Sequence, residues 1–373
     1  MVNRSRGFSL VELLVSITIG LFVLAAVVTV LVNSKQNYTV QDSLARLQEN
    51  ARFAVDFITR DLRMSGHFGC AHSAPNNQLN IAASPLLEAS VGLAGVDDIV
   101  VGTSTWQPSG APTAQADGTV QFVPGSDVIL VRYMDGAGRP LTASMTSTTD
   151  TLTIAAGNGL NQGDIVIVAD CSAADIFQVT STAPNTTGVL RHETTATGIT
   201  PINNTNILSK PYELDQNPTL TSFVIARYFI ATNTDRPGRP GLYRQVGGAA
   251  PQELVEGVEN MQILYGVDTD RPPPPAIPDY SPNVYVPAEN VNCLVRDGSG
   301  ACIGWDRVTS LRIGLLAYTV ASESESGEYG RLEDAGTYNV NGKILRTADG
   351  NLDAKRVKRR VFTTTVALRN LRP

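Results

Sequence analysis

Residues 13–34 contain no charged side chain and are mostly Leu, Val, Ile, Ala and Phe. A bilayer core takes ~20 helical residues, so this stretch predicts a helix able to span a membrane. Polar positions return after Lys35, in a helical rhythm. Leu44, Leu47, Ala51, Ala54, Ile58 and Leu62 recur every three or four residues, with Arg46, Glu49, Arg52, Asp56, Arg60 and Arg63 between them. No proline occurs before Pro75, and Gly66 suits a helix stop. One helix is predicted over residues 8–64, roughly 85 Å long at ~1.5 Å per residue. Its second stripe is rich in small alanines, which suits packing on a sheet better than an isolated coiled coil.

Beyond Cys70 the period shortens to two. DVILVRYM, DTLTIAA, DIVIVADC, SFVIARYFIA, NMQILYGV, RVTSLRIGLLAYTV and RRVFTTTVALRNL read as strands between Gly, Pro, Asn and Asp. TASMTSTTDT and STAPNTTG read as exposed hairpin tips or polar edge strands. RPPPPAIPDYSP, residues 271–282, reads as a stiff extended loop rather than a domain linker. The expected class is α+β, a long N-terminal helix packed on a β-rich globular head. Residues 8–34 form its transmembrane half, residues 35–65 its amphipathic half and residues 66–373 the head.

Arg4 and Arg6 precede the apolar run, so the positive-inside tendency places Met1 in the cytoplasm and the head outside. VLVNSKQNYTV, at the far end, has no A-x-A-like cleavage site, so the simplest reading is an uncleaved signal anchor. Glu12 complicates it. A lone carboxylate near the start of a spanning helix costs on the order of 2–3 kcal/mol and usually has a partner. Its neighbours at three and four residues are Phe8, Ser9, Val15 and Ser16, none a cation. A cut between Gly7 and Phe8 would create one, an α-amine at Phe8 able to pair with Glu12 of another subunit.

RGFSLVELLVSITIG resembles the class III signal of type IV pilins and pseudopilins. The resemblance implies a cleaved leader over residues 1–7, a prepilin peptidase cutting after Gly7, and N-methylation of Phe8. It also implies that Phe8 and Glu12 pair between neighbouring subunits during assembly. Thr29 stands where many pilins carry a mid-membrane proline, which leaves Gly20 as the weak point of the span. GDIVIVADCSAADIFQVT, ELVEGVENMQILYGVDTD, WDRVTSLRIGLL and RRVFTTTVALRNLRP are similar to PilW-type minor pilins. That family implies a head related to the J-type pseudopilin of type II secretion. The Pro-rich loop and the Cys293–Cys302 segment depart from it.

Composition adds limits. Net charge is −6, so the whole chain has no electrostatic reason to seek DNA or anionic lipid. His192-Glu193 begins an H-E-x-x-H pattern that fails at Ala196, Gly342-Lys343 is followed by Ile344, and no G-x-S-x-G occurs. Neither an enzyme, a metal site nor a cofactor is expected. Asp268-Thr269-Asp270 is like the start of a calcium loop, but Pro272 stands where a third oxygen ligand belongs, and a polar turn is the favoured reading. Cys70, Cys171, Cys293 and Cys302 are an even set in an exported chain, without C-x-x-C spacing. Cys293 and Cys302 enclose LVRDGSGA and suit a closed hairpin; Cys70 then pairs with Cys171 by elimination, with two other connectivities open. Lys355, Arg356, Lys358, Arg359 and Arg360 form the one basic cluster, read as a solvated stretch because no aromatics are interleaved for base stacking.

These readings converge on a minor pilin of a type IV pilus that primes assembly and sits at the tip, supporting piliation, adhesion and twitching motility. The expected partners are the inner membrane, the prepilin peptidase, other minor pilins, the major pilin and a large tip adhesin. The expected location is the inner membrane, with one span and a periplasmic head, and then the extracellular pilus tip. The alternatives are a J-like pseudopilin and a DNA-binding minor pilin used in DNA uptake.

Overall fold

The computed structural model describes residues 9–71, 74–80, 91–99, 120–199, 202–236, 238–272, 279–320, 336–346 and 358–370. One helix runs unbroken over Leu10–Met64, through Gly20 and Thr29 alike. Hydroxyls within its apolar half are satisfied internally: Ser16 donates to the Glu12 carbonyl at 2.7 Å, Thr29 to the Ala25 carbonyl at 2.8 Å, and Thr18 to the Leu14 carbonyl. Every residue from 9 to 38 is exposed. The buried stripe begins at Ser43 and continues through Leu47, Ala51, Ala54, Ile58, Asp61 and Leu62. Leu44 is only half-buried, because Ser43 takes the head-facing position. The interleaved charges Arg46, Glu49, Arg52, Asp56, Arg60 and Arg63 are all exposed.

The helix ends where the head begins to hold its backbone. Gly66 adopts φ +74°, and its N–H donates to the Arg132 carbonyl at 3.0 Å. A Cβ on Gly92 would lie 2.3 Å from the Gly66 nitrogen, so this close approach requires glycine. The orphan carbonyls of the last turn need donors. The Ser65 and His67 N–H groups serve the Leu62 and Met64 carbonyls, and Asn370 Nδ2 reaches the Arg63 and Ser65 carbonyls at 3.1 Å each.

Among the described residues the head has two large antiparallel-rich sheets, with the helix laid where they meet, and two small two-stranded ones. A nine-stranded sheet is built around Thr219–Asn233, which pairs antiparallel with Val128–Pro140, Pro240–Val246 and Ile165–Ala169. This long strand is buried on both faces. Its Val224, Ala226, Tyr228 and Ile230 join Ala54, Ile58 and Leu62 of the helix in the main core, while Phe223 and Ile225 fill one smaller cluster and Phe229 and Ala231 another. The second sheet runs Val284–Val286, Val258–Val267, Val308–Tyr318, Arg359–Ala367 in spatial order. Val267 pairs with Val284, so the Pro-rich segment departs from and returns to one sheet; its residues 273–278 lie outside the described residues.

Several local expectations change. Of DTLTIAA only Leu152–Thr153 is strand. STAPNTTG forms a one-turn helix, Pro184–Thr187, because Pro184 presets the first helical position and Gly188 closes it at φ +70°. TASMTSTTDT is turned by Asp150, which accepts from the Thr146 N–H at 3.1 Å and hydroxyl at 2.8 Å; these bonds hold its carboxyl below the usual range. The hairpin of Pro240–Val246 and Gln252–Glu256 lacked a clear pattern, its first strand being short and interrupted by Gly241.

Candidate functional site

The candidate site has two parts, the bare half of the helix and the joint that fixes its other half to the head. The bare half is long and apolar enough to cross a membrane, and none of that window is covered by the head. Glu12 sits exposed in its first turn. Among the described residues its carboxylate has no hydrogen bond or ion pair, so the burden of a partner falls outside them. Gly7 and Phe8 lie outside the described residues.

The joint is polar at its centre. Asp61 lies on the buried stripe, 8% exposed, where its Oδ2 accepts from the Tyr228 hydroxyl at 2.7 Å. The same oxygen meets Arg244 Nη2 at 2.9 Å and Nε at 3.0 Å. Arg244 continues to the Tyr133 hydroxyl at 3.3 Å, and Tyr228 also reaches the Phe57 carbonyl at 3.3 Å. Burial, with Asp61 adding to it, pushes the Tyr133 hydroxyl up to about 12. Burial pushes Tyr228 up as well, so both hydroxyls remain neutral at physiological pH, Tyr228 donating to Asp61 and Tyr133 accepting from Arg244. One carboxylate thus fixes the helix to both of the strands Thr219–Asn233 and Pro240–Val246 around it.

Asp61→Ala leaves the Arg244 guanidinium and the Tyr228 hydroxyl without their shared acceptor. A fully buried pair broken in this way loses ~3–5 kcal/mol. The Arg244 side chain is 28% exposed, so partial rehydration reduces the expected loss to about 2–3 kcal/mol. Thermal melts of the detergent-solubilised chain check this, and an unchanged midpoint would count against the clamp. Sequence reading missed Asp61. The available signal was an acid three residues after Ile58, in line with the stripe.

The cysteines close the joint covalently. Cys70–Cys171 ties the chain just past the helix to the end of strand Ile165–Ala169, with the Cα atoms 4.6 Å apart. Cys293–Cys302 closes the second loop. There Asp297 accepts the Ser299 hydroxyl at 2.7 Å and the Ala301 N–H at 2.9 Å, which keeps its carboxyl below the usual range.

Among the described residues the basic cluster does not form one patch. Lys355 and Arg356 lie outside the described residues. Arg359 is buried against Glu259, Nη2 to Oε1 at 2.9 Å, and Arg360 stacks over the Phe362 ring at 5.7 Å. Arg360 and Phe362 face Gln48, Glu49 and Arg52 across a shallow groove between the last strand and the helix. His192, whose motif failed in sequence, is a core residue: its Nε2 lies 2.9 Å from the Asp150 carbonyl and its ring packs on Phe177.

Residues 227–370 match the family model described as Type IV Pilus-assembly protein W, and residues 2–28 match that described as Prokaryotic N-terminal methylation motif. No curated protein and no solved structure gives a significant match. The first match falls on the part of the head that receives Asp61 and closes the helix end, the second on the half of the helix left bare. Matches at the two ends of one architecture are therefore consistent with a type IV pilus-related pilin of the PilW type.

Proposed function

We propose that this chain is a minor pilin that helps to prime type IV pilus assembly and sits at the filament tip with other minor pilins. The observation that carries the proposal is the bare apolar half-helix with a Glu12 that has no partner among the described residues, held on a head that covers only the other half. In the inner membrane the bare half would be the single span, with the head in the periplasm. Cleavage after Gly7 by the prepilin peptidase and methylation of Phe8 would then free an amine for the Glu12 of a neighbour. The role is architectural, without catalysis.

Bulk favours the tip. Shaft subunits repeat at short axial intervals, so a head spanning residues 66–373 would crowd its neighbours along the shaft. At the distal end no subunit stands above it. Piliation, adhesion and twitching motility would follow from initiation there, with the major pilin below and a large tip adhesin as further partner. Arg359 is engaged with Glu259, which takes a central cation out of the basic cluster and weakens a DNA-uptake role.

Immunogold labelling of the head in a piliated strain tests the placement. Label confined to filament ends, with surface pili sharply reduced on deletion and partly restored when retraction is blocked, is the expected result. Label spread evenly along the shaft would overturn it. Deletion that stops protein secretion and leaves pili intact would instead identify a J-like pseudopilin.

A further inference from the structure

We propose that the outer edge of strand Arg359–Ala367 docks an extended, acidic segment of another protein, which joins the second sheet as a further strand. Arg359–Ala367 ends that sheet, paired on one side with Val308–Tyr318. Two backbone bonds at its ends fix which of its groups face inward. The Leu368 N–H donates to the Thr309 carbonyl at 2.9 Å, and the Thr319 N–H to the Lys358 carbonyl at 3.0 Å. The register between them is unbroken, from Ser310 opposite Ala367 to Tyr318 opposite Arg359. In an antiparallel ladder, bonded positions alternate with positions whose N–H and C=O turn the other way. The even-numbered residues therefore bond inward. Val361, Thr363, Thr365 and Ala367 turn their N–H and C=O outward, where no strand lies among the described residues.

An open edge is a template for a further strand, and folded chains blunt such edges by shortness, charge, proline or a bulge. The other outer strands of the two large sheets follow that rule. Asn76–Asn77, Leu93–Val96, Val120–Phe122 and Val284–Val286 have two to four residues each. Gln252–Glu256 carries Glu253 and Glu256 and a register shift against Pro240–Val246. Arg359–Ala367 has nine residues in regular register. From Val361 to Ala367 it has no charge and no proline, and its Val, Phe and Thr favour extended backbone. This edge alone among them is long, regular and uncharged over most of its length.

Charge selects the partner. The groove between the strand and the helix, about 370 Å³, is lined by Gln48, Glu49, Arg52, Arg360 and Phe362. Its two cations outnumber its one acid. At the other end of the strand Arg63 and Arg369 are exposed, where Asn370 reaches the Arg63 carbonyl. The edge is thus locally basic on a chain of net charge −6. A second copy would bring the same arginines against these, so like charges oppose self-pairing. An acidic segment of a different chain meets them favourably. In strand addition the main chain supplies affinity, and the alternate side chains supply specificity. Here one set of alternate side chains would fall beside Arg360 and over Phe362, whose ring already packs near Leu47 and Ala51. The surface stands on the edge itself and does not depend on where the subunit sits in a filament.

The test uses the detergent-solubilised full chain and a fluorescein-labelled synthetic peptide of alternating threonine and valine with glutamates at both ends. Anisotropy titration should show saturable binding, weaker by at least about tenfold when lysines replace the glutamates. Thr363→Pro removes an outward N–H and no bond to Val308–Tyr318, so the thermal midpoint should hold while binding weakens at least about tenfold. Thr365→Glu keeps the backbone, sets an acid on the edge and should weaken binding to a similar degree. Hydrogen exchange reads the same edge directly. The amides of Val361, Thr363, Thr365 and Ala367 should exchange fast in the free chain and slowly with peptide bound, while those of Phe362, Thr364 and Val366 stay slow in both. Absence of saturable binding, parental binding in both variants, equal binding of the lysine peptide, or outward amides protected without peptide would overturn the site. Dimerisation of the parent that Thr365→Glu abolishes would overturn the choice of partner in favour of a second copy.

Discussion

Replacing Cys70 and Cys171 together by serine should lower the stability of the head by about 4–5 kcal/mol in the chain-entropy model. The crosslink spans 101 residues, and a loop of that length gains ~4.7 kcal/mol from the restricted unfolded chain. The native geometry should survive, because the local contacts do not depend on sulfur. Phe68 is 3% exposed, with its ring 6.1 Å from Phe223, and it clusters with Met134, Ile167 and Ala169. The double variant should therefore fold to the same head and unfold at lower denaturant. The corresponding loss for Cys293–Cys302, closing a separation of 9, is about 2–3 kcal/mol. Denaturation curves of both variants, read beside the parent, check the order. Equal midpoints for the two variants would contradict the loop-length argument.

Glu12→Ala should leave membrane insertion intact and reduce surface pili by at least about tenfold in a strain lacking the native copy. The substitution removes a charge that costs on the order of 2–3 kcal/mol near the start of a span, so the subunit should enter the bilayer at least as well as the parent. What it removes is the acceptor for a neighbour's amine. Loss of piliation with normal amounts of processed subunit in the membrane is the expected pair of results. Normal piliation would end the pairing role for Glu12.

The helix and its two halves were legible because period and charge change along it without interruption. Glu12 was conspicuous for the same reason, as an acid at the edge of an uncharged span. Asp61 was not. In one dimension it resembles Asp56, yet Asp56 faces water and Asp61 faces Tyr228 and Arg244, 167 and 183 residues away. Arg359 looked like one member of a basic run until Glu259, 100 residues earlier, proved to hold it. What sequence hides here is long-range pairing of polar side chains, which leaves no periodic trace. Strand GLYRQV was lost for a different reason: Gly241 and the bulge after Leu242 interrupt its alternation.

Asn370 closes the last turn of the helix from 307 residues farther along the chain. Near it Val366 enters the core with Ile58 and Leu62, and Phe362 packs beside Leu47 and Ala51. The ribosome makes these surfaces in the opposite order to the one in which they are needed. At ~5–20 residues per second the head-facing stripe waits roughly 15–60 s for its covering strand. The span can settle in the bilayer from the outset, while the stripe just beyond it lacks its last covering strand until Arg359–Ala367 is made. The earliest part of the chain to be anchored is thus also among the last to be fully covered, and a subunit truncated before Arg359 would be held in the membrane with its helix end uncapped and one flank of the stripe bare.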